Sequence, residues 1–166
     1  MRHRFLLLTK LLSDTAQILQ FKSNSVMVSE TLTKDNIAHT ATILVVEDDE
    51  LTVDLMHAML GGRYTVIHAQ SADEGRKRLE DSHIDIMLVD ISLLGGENGL
   101  DFTKSIRSGA HYKHLPIIAV TAHAYMRDKK NALDAGCDYY FAKPVNHKQL
   151  IRKIEELLSK TVQQPV

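Results

Sequence analysis

Four short stretches hold the residues best suited to chemistry. Glu47-Asp48-Asp49 is an acidic run that follows the apolar Ile43-Leu44-Val45-Val46. Asp90, Thr121 and Lys143 each stand at the end of a further apolar run, and Pro144 follows Lys143. Carboxylates crowded together repel and call for a cation, and an all-oxygen donor set suits a hard ion such as Mg²⁺. A lysine supplies a point charge for an anion. The Thr121 hydroxyl is a hydrogen-bond donor, and the backbone N–H of Ala122 offers a second. A carboxylate set among a metal site, a lysine and a hydroxyl suits phosphoryl transfer, in which the protein mostly positions groups and stabilises charge. Asp90 is then the covalent acceptor.

These residues lie far apart in the chain, so regular elements must bring them together. Ile43 to Val46 reads as a strand buried on both faces. Glu50 to Leu60 reads as a helix stopped by Gly61-Gly62. Tyr64 to His68 predicts a second strand, and Ser71-Ala72-Asp73-Glu74 a capping box opening a helix to about Asp81. A third strand is expected over Ile84 to Val89, a helix over Leu100 to Ser108, and a fourth strand over Pro116 to Val120. Ala124 to Ala135 predicts a helix capped by Gly136, and Cys137 to Phe141 a fifth strand. Asn146 and Gln149 form a second capping box ahead of a helix with Leu150, Ile154, Leu157 and Leu158 on its apolar face. Strict alternation of strand and helix argues for an α/β fold with a parallel sheet covered on both faces. In such a sheet ligands bind beyond the carboxyl ends of the strands. Glu47, Asp48, Asp90, Thr121 and Lys143 all fall at such ends, whereas His68 and Ala69 at the end of the second strand carry no evident chemistry.

The 166 residues predict one domain with an extension. With 20 Lys and Arg against 21 Asp and Glu, the charge balance leaves no footprint for nucleic acid or an anionic membrane. A lone cysteine, Cys137, excludes an internal disulfide and fits a reducing, cytoplasmic setting. No run of about 20 apolar residues is present, so no membrane insertion is expected. Residues 1–40 differ from the rest. Met1 to Arg4 is basic and Phe5 to Leu12 largely apolar, which partly resembles a leader peptide. Lys10 interrupts the apolar stretch, however, and no small-x-small cleavage site follows. A short amphipathic helix through about Phe21 is the preferred reading, with Lys22 to Thr40 as a linker. Met27 is an alternative start.

In order and spacing, Ile-Leu-Val-Val-Glu-Asp-Asp (43–49), Ile-Met-Leu-Val-Asp (86–90), Pro-Ile-Ile-Ala-Val-Thr-Ala (116–122) and Ala-Gly-Cys-Asp-Tyr-Tyr-Phe-Ala-Lys-Pro (135–144) resemble the response regulator receiver domain of two-component signalling. The resemblance covers residues 41–160 and leaves 161–166 as a short tail. It implies a flavodoxin-like sheet ordered 2-1-3-4-5 and a single-domain response regulator. It implies that Asp90 receives a phosphoryl group from a phosphohistidine, carried by a sensor histidine kinase or a histidine phosphotransfer protein. It further implies that Asp48 ligates Mg²⁺ directly, Glu47 through water, and Ser92 through its backbone carbonyl, beside Asp90 itself. Thr121 and Lys143 contact the phosphoryl oxygens on this expectation, and Tyr140 is the aromatic switch residue that moves with Thr121. The Lys143-Pro144 peptide is expected to be cis. On the same resemblance the domain catalyses only its own phosphorylation and dephosphorylation. It passes its state to a downstream protein target through the face of the fourth helix, fifth strand and fifth helix, or relays the phosphoryl group onward. Whether it dimerises on phosphorylation is left open.

Each assignment has a plainer counterpart. Tyr140 also fits a half-buried strand tyrosine, Asp49 and Glu50 fit favourable charges at a helix start, His123 fits a solvated rim residue, and Cys137 fits a small core residue. The loop Ile-Ser-Leu-Leu-Gly-Gly-Glu-Asn-Gly after Asp90 departs from the family pattern. Leu94 stands where the family usually has proline, and Gly99 comes one residue later than the usual glycine. A longer, less rigid loop is therefore expected beside the acceptor. Two alternatives are weighed against the main reading. One is a haloacid-dehalogenase-like, Mg²⁺-dependent phosphohydrolase using Asp48, since Asp48-Asp49-Glu50-Leu51-Thr52 loosely resembles that family's nucleophile motif. The other is a degenerate receiver that binds partners without phosphorylation, against which the full set of Asp48, Asp90, Thr121 and Lys143 argues.

Overall fold

Side-chain alternation along the strands decides which helix covers which face. In the computed structural model, which describes residues 40–94, 96–122 and 126–162, the elements alternate throughout. They are β1 (Thr42–Val46), α1 (Glu50–Leu60), β2 (Thr65–Ala69), α2 (Ala72–Asp81), β3 (Ile86–Val89), α3 (Gly99–Ser108), β4 (Ile117–Thr121), α4 (Met126–Asp134), β5 (Tyr139–Ala142) and α5 (His147–Val162). All four strand pairings are parallel, in the order β2-β1-β3-β4-β5. This is the flavodoxin-like order expected from the sequence.

Leu44, Val46, Met87, Val89, Ile117 and Ala119 point to one face and pack with Leu79 of α2, Phe102 and Ile106 of α3 and Ala132 of α4. Ile43, Val45, Ile86, Leu88, Ile118 and Val120 point to the other and pack with Met56 and Leu60 of α1 and Leu150, Ile151, Ile154 and Leu157 of α5. Central strands buried on both sides explain why β1, β3 and β4 read as continuous apolar runs rather than alternating ones.

Local signals account for most helix ends. Asp49 is the N-cap of α1, its Oδ2 accepting from Thr52 N at 3.0 Å and from Thr52 Oγ1 at 2.6 Å. Ser71 Oγ caps α2 by accepting from Glu74 N at 3.3 Å, but Glu74 Oε2 returns its bond to Gln70 N at 2.9 Å, one residue before the cap. Asn98 Oδ1 caps α3 through Leu100 N and Asp101 N, and Asn146 Oδ1 accepts from Gln149 N at the start of α5. Gly136 has φ of 101°, a conformation that favours glycine, and ends the turn after α4.

Each strand boundary shifts from expectation: β1 starts one residue earlier, β2 and β4 each lie one residue later, and β3 and β5 start two residues later. β5 begins at Tyr139 rather than Cys137, because Cys137 N still donates to Ala132 O in the turn that closes α4. β3 begins at Ile86 rather than Ile84; the buried Ile84 is apolar for packing, not for pairing. The expectations for residues 1–39, for His123, and for the start of α4 at Ala124 lie outside the described residues.

Candidate functional site

The ladder bonds that end the sheet also set the spacing of the site. Val46 pairs with Val89, and Asp90 N donates to Val46 O at 2.9 Å, so Asp90 sits directly beside the end of β1. Thr121 pairs with Ala142, and Lys143 N donates to Thr121 O at 2.8 Å. Glu47 N donates to Ala69 O at 3.0 Å. The ends of β1, β3, β4 and β5 thus present Glu47, Asp90, Thr121 and Lys143 along one edge.

The side chains meet there. Lys143 Nζ lies 2.6 Å from Glu47 Oε2 and 2.8 Å from Asp90 Oδ2. Asp90 Oδ1 accepts from Ser92 N at 2.9 Å, and Glu47 Oε1 accepts from Asp49 N at 3.3 Å. Thr121 is fully buried, its Oγ1 3.5 Å from Ser92 Oγ. Glu47 and Asp90 keep only 3% and 7% of their surface exposed, so their charges must be offset locally. Burial, and the nearby Asp90 charge, push the Glu47 carboxyl above its ordinary value, although the Lys143 hydrogen bond pulls the other way. Burial works against the Lys143 ammonium as well. Its hydrogen bonds to Asp90 and Glu47 outweigh that, and the lysine titrates above its ordinary value and stays charged.

One oxygen from each of Glu47, Asp48 and Asp90 lies within 4.8 Å of the others. A single ammonium leaves net negative charge in this corner, and the donors are all hard oxygens. That donor set fits Mg²⁺, which takes one or two carboxylates and fills its remaining positions with water and phosphate oxygens.

Tyr140 sits opposite Ala119 on the neighbouring strand and packs half-buried against the α2–α3 side of the core. Burial, and then the negative Asp128, raise its phenol above the ordinary value. The Lys143-Pro144 peptide is cis, as the resemblance implies.

The loop after Asp90 is tied to the elements around it. Gly99 N donates to Ile91 O at 3.0 Å and closes the loop at its base, and Leu93 is buried in the core. A Cβ on Gly99 would lie 1.9 Å from the Asp90 carbonyl oxygen, so only glycine lets α3 start this close to Asp90. Glu97 Oε2 is bound by Arg76 Nη2 of α2. Neither Arg76 nor Glu97 is singled out by the sequence, because an ion pair between residues 21 apart leaves no local pattern.

The hydrolase alternative finds no support. Thr52, the hydroxyl of its motif, is taken up by the Asp49 cap, an ordinary helix start. Among the described residues, no helix is long and apolar enough to cross a membrane.

Comparison with known proteins agrees with the geometry. The profile of the response regulator receiver domain matches residues 43–155. The polar-differentiation response regulator DivK of Brucella ovis is 32% identical over 120 residues, 72% of this chain and 97% of that one. A putative response regulator from Chloroflexus aurantiacus superposes with a TM-score of 0.69 at 28% identity, covering 72% of this chain and 98% of its own. The receiver domain of a sensor histidine kinase from Pseudomonas aeruginosa, solved with a magnesium ion coordinated in its active-site cleft, gives 0.67 at 30% identity over 72% of this chain and 98% of its own. The family match spans well over half of the sequence, and the fold and acidic corner agree with it: this chain belongs to the response regulator receiver domain family.

Proposed function

We propose that Asp90 accepts a phosphoryl group from a phosphohistidine and that the resulting acyl phosphate switches the contacts of the domain. The P–N bond of the donor breaks with its electron pair on the imidazole nitrogen, and a P–O bond forms to an Asp90 carboxylate oxygen. Hydrolysis reverses the state: water attacks phosphorus, the P–O bond to Asp90 breaks, and inorganic phosphate leaves. The observation that carries this reading is the bridge of Lys143 Nζ between Glu47 Oε2 and Asp90 Oδ2. Phosphorylation replaces a carboxylate charge on Asp90 with a phosphoryl group, and the ammonium is already in place for it.

Glu47, Asp48, Asp90 and the backbone carbonyl of Ser92 would hold Mg²⁺. When bound, the ion supplies positive charge to the phosphoryl oxygens. Thr121 would donate its hydroxyl to a phosphoryl oxygen, and in turning toward it would leave room for the half-buried Tyr140 ring to follow. The donor on this reading is a sensor histidine kinase or histidine phosphotransfer protein. The phosphorylated face of α4, β5 and α5 then engages a downstream protein, or Asp90 passes the group onward. The receiver body spans residues 41–160, with residues 1–40 as an extension.

Incubation with acetyl phosphate and Mg²⁺, followed by phosphate-affinity electrophoresis, tests the reading. The wild type should shift, Asp90→Asn should not, and Asp48→Asn should shift weakly. A shifted band persisting in Asp90→Asn contradicts it.

A further inference from the structure

The loop between Asp90 and α3 is held at three points. Its base is closed by the Gly99 N to Ile91 O bond, and its first half is anchored by the buried Leu93. In the loop, Leu94 is 75% exposed and Gly96 has a φ of 147°. Its return half is tied to α2, where Arg76 Nη2 lies 2.5 Å from Glu97 Oε2.

Arg76 is itself held by three further contacts. Nη2 donates to Ser105 Oγ of α3 at 2.9 Å, and Nη1 lies 3.2 Å from Asp73 Oδ1. The guanidinium sits 5.2 Å from the ring centroid of Phe102, which is fully buried. A guanidinium pre-positioned by three other contacts loses little freedom when it takes a carboxylate, so the pair with Glu97 restrains the loop more than an isolated surface pair would.

We propose that the Arg76–Glu97 ion pair is a clamp that positions the acceptor loop, and through it Ser92 beside Asp90. The proposal rests on reading Asp90 as the acceptor. Ser92 N holds Asp90 Oδ1 at 2.9 Å, and Ser92 Oγ lies 3.5 Å from Thr121 Oγ1. Ser92 therefore joins the acceptor to the hydroxyl residue, and the loop carries Ser92. Releasing Glu97 frees the return half and leaves Ser92 held only by Leu93, the Ile91 closure and its own bond to Asp90. Arg76 and Glu97 are positioning residues: neither touches the reacting atoms. The clamp takes over the stiffening that Leu94, in place of proline, does not provide.

The test compares wild type with Glu97→Gln, which keeps the shape and removes the charge, and with Arg76→Lys, which keeps the charge and removes the fork. In the metal-free protein, amide hydrogen exchange over Ile91 to Asn98 should rise in Glu97→Gln by about tenfold, the weight of one charge-assisted hydrogen bond, with a cooperative unfolding transition only slightly lowered in its midpoint. Mg²⁺ affinity, read by calorimetry, should weaken several-fold, and the phosphoryl group loaded from acetyl phosphate should be lost several-fold faster. Arg76→Lys should fall between the two. Unchanged exchange in Glu97→Gln overturns the clamp, and faster exchange with unchanged Mg²⁺ affinity and phosphoryl lifetime overturns its positioning role. If the wild type takes no phosphate at all, the acceptor reading fails instead, and exchange and Mg²⁺ affinity still judge the clamp.

Discussion

Gly99 is the residue on which the seating of Asp90 turns. A Cβ there would lie 1.9 Å from Asp90 O, 2.8 Å from Asp90 C and 3.0 Å from Ile91 Cα. These are backbone atoms that cannot swing aside. Gly99→Ala should push the start of α3 away from Asp90 and cost roughly 1–3 kcal/mol, the usual range for overpacking. Urea unfolding measures this, and wild-type stability in the variant would count against the seating. From the sequence, the glycine reads as a register departure. In the fold it closes the loop at its base, its N–H donating to Ile91 O. The types of Glu47, Asp48, Asp90, Thr121 and Lys143 were legible as chemistry because each follows an apolar run. Lys143 bridging both Glu47 and Asp90 was not, because contact across strands depends on side-chain geometry that the one-dimensional order does not carry.

Elements were legible where burial is two-sided. β1, β3 and β4 stand out as apolar runs, and α2 and α5 as capped amphipathic stretches. β5 was placed two residues early because Cys137 is apolar yet belongs to the turn after α4. α5 carries the clearest pH signature. Glu156 is held by Lys153 and by Lys160, the latter at 2.9 Å. Their hydrogen bonds lower its carboxyl from an ordinary 4.5 to about 2. A carboxyl depressed in the folded state stabilises fully above its ordinary value, and that contribution is lost as pH falls through about 2. The unfolding midpoint of wild type should therefore exceed that of Glu156→Gln slightly near neutral pH, with the gap closing as pH falls from about 4.5 to about 2. Exposure of the pair to solvent keeps the gap small and salt-sensitive. A gap that widens in acid would contradict the assignment.

At the scale of the molecule, strand–helix alternation fixes a parallel sheet, and a parallel sheet fixes where a ligand must lie. The contacts that close the loop after Asp90 leave no such trace in the sequence, since they come from α2 and α3. An acidic corner holding three carboxylates and one ammonium should bind Mg²⁺ only when folded. Mg²⁺ at a hundred times its dissociation constant should then stabilise the wild type by about 2.7 kcal/mol by mass action, and Asp48→Asn much less. Thermal unfolding with and without chelator measures the difference, and an equal rise in both proteins would move the metal elsewhere. The account stands or falls on which carboxylate becomes the acyl phosphate. Loading with acetyl phosphate and Mg²⁺, reduction with borohydride and peptide mass spectrometry should find homoserine in place of Asp90 alone. Homoserine in place of Asp48, with Asp90 intact, would contradict it.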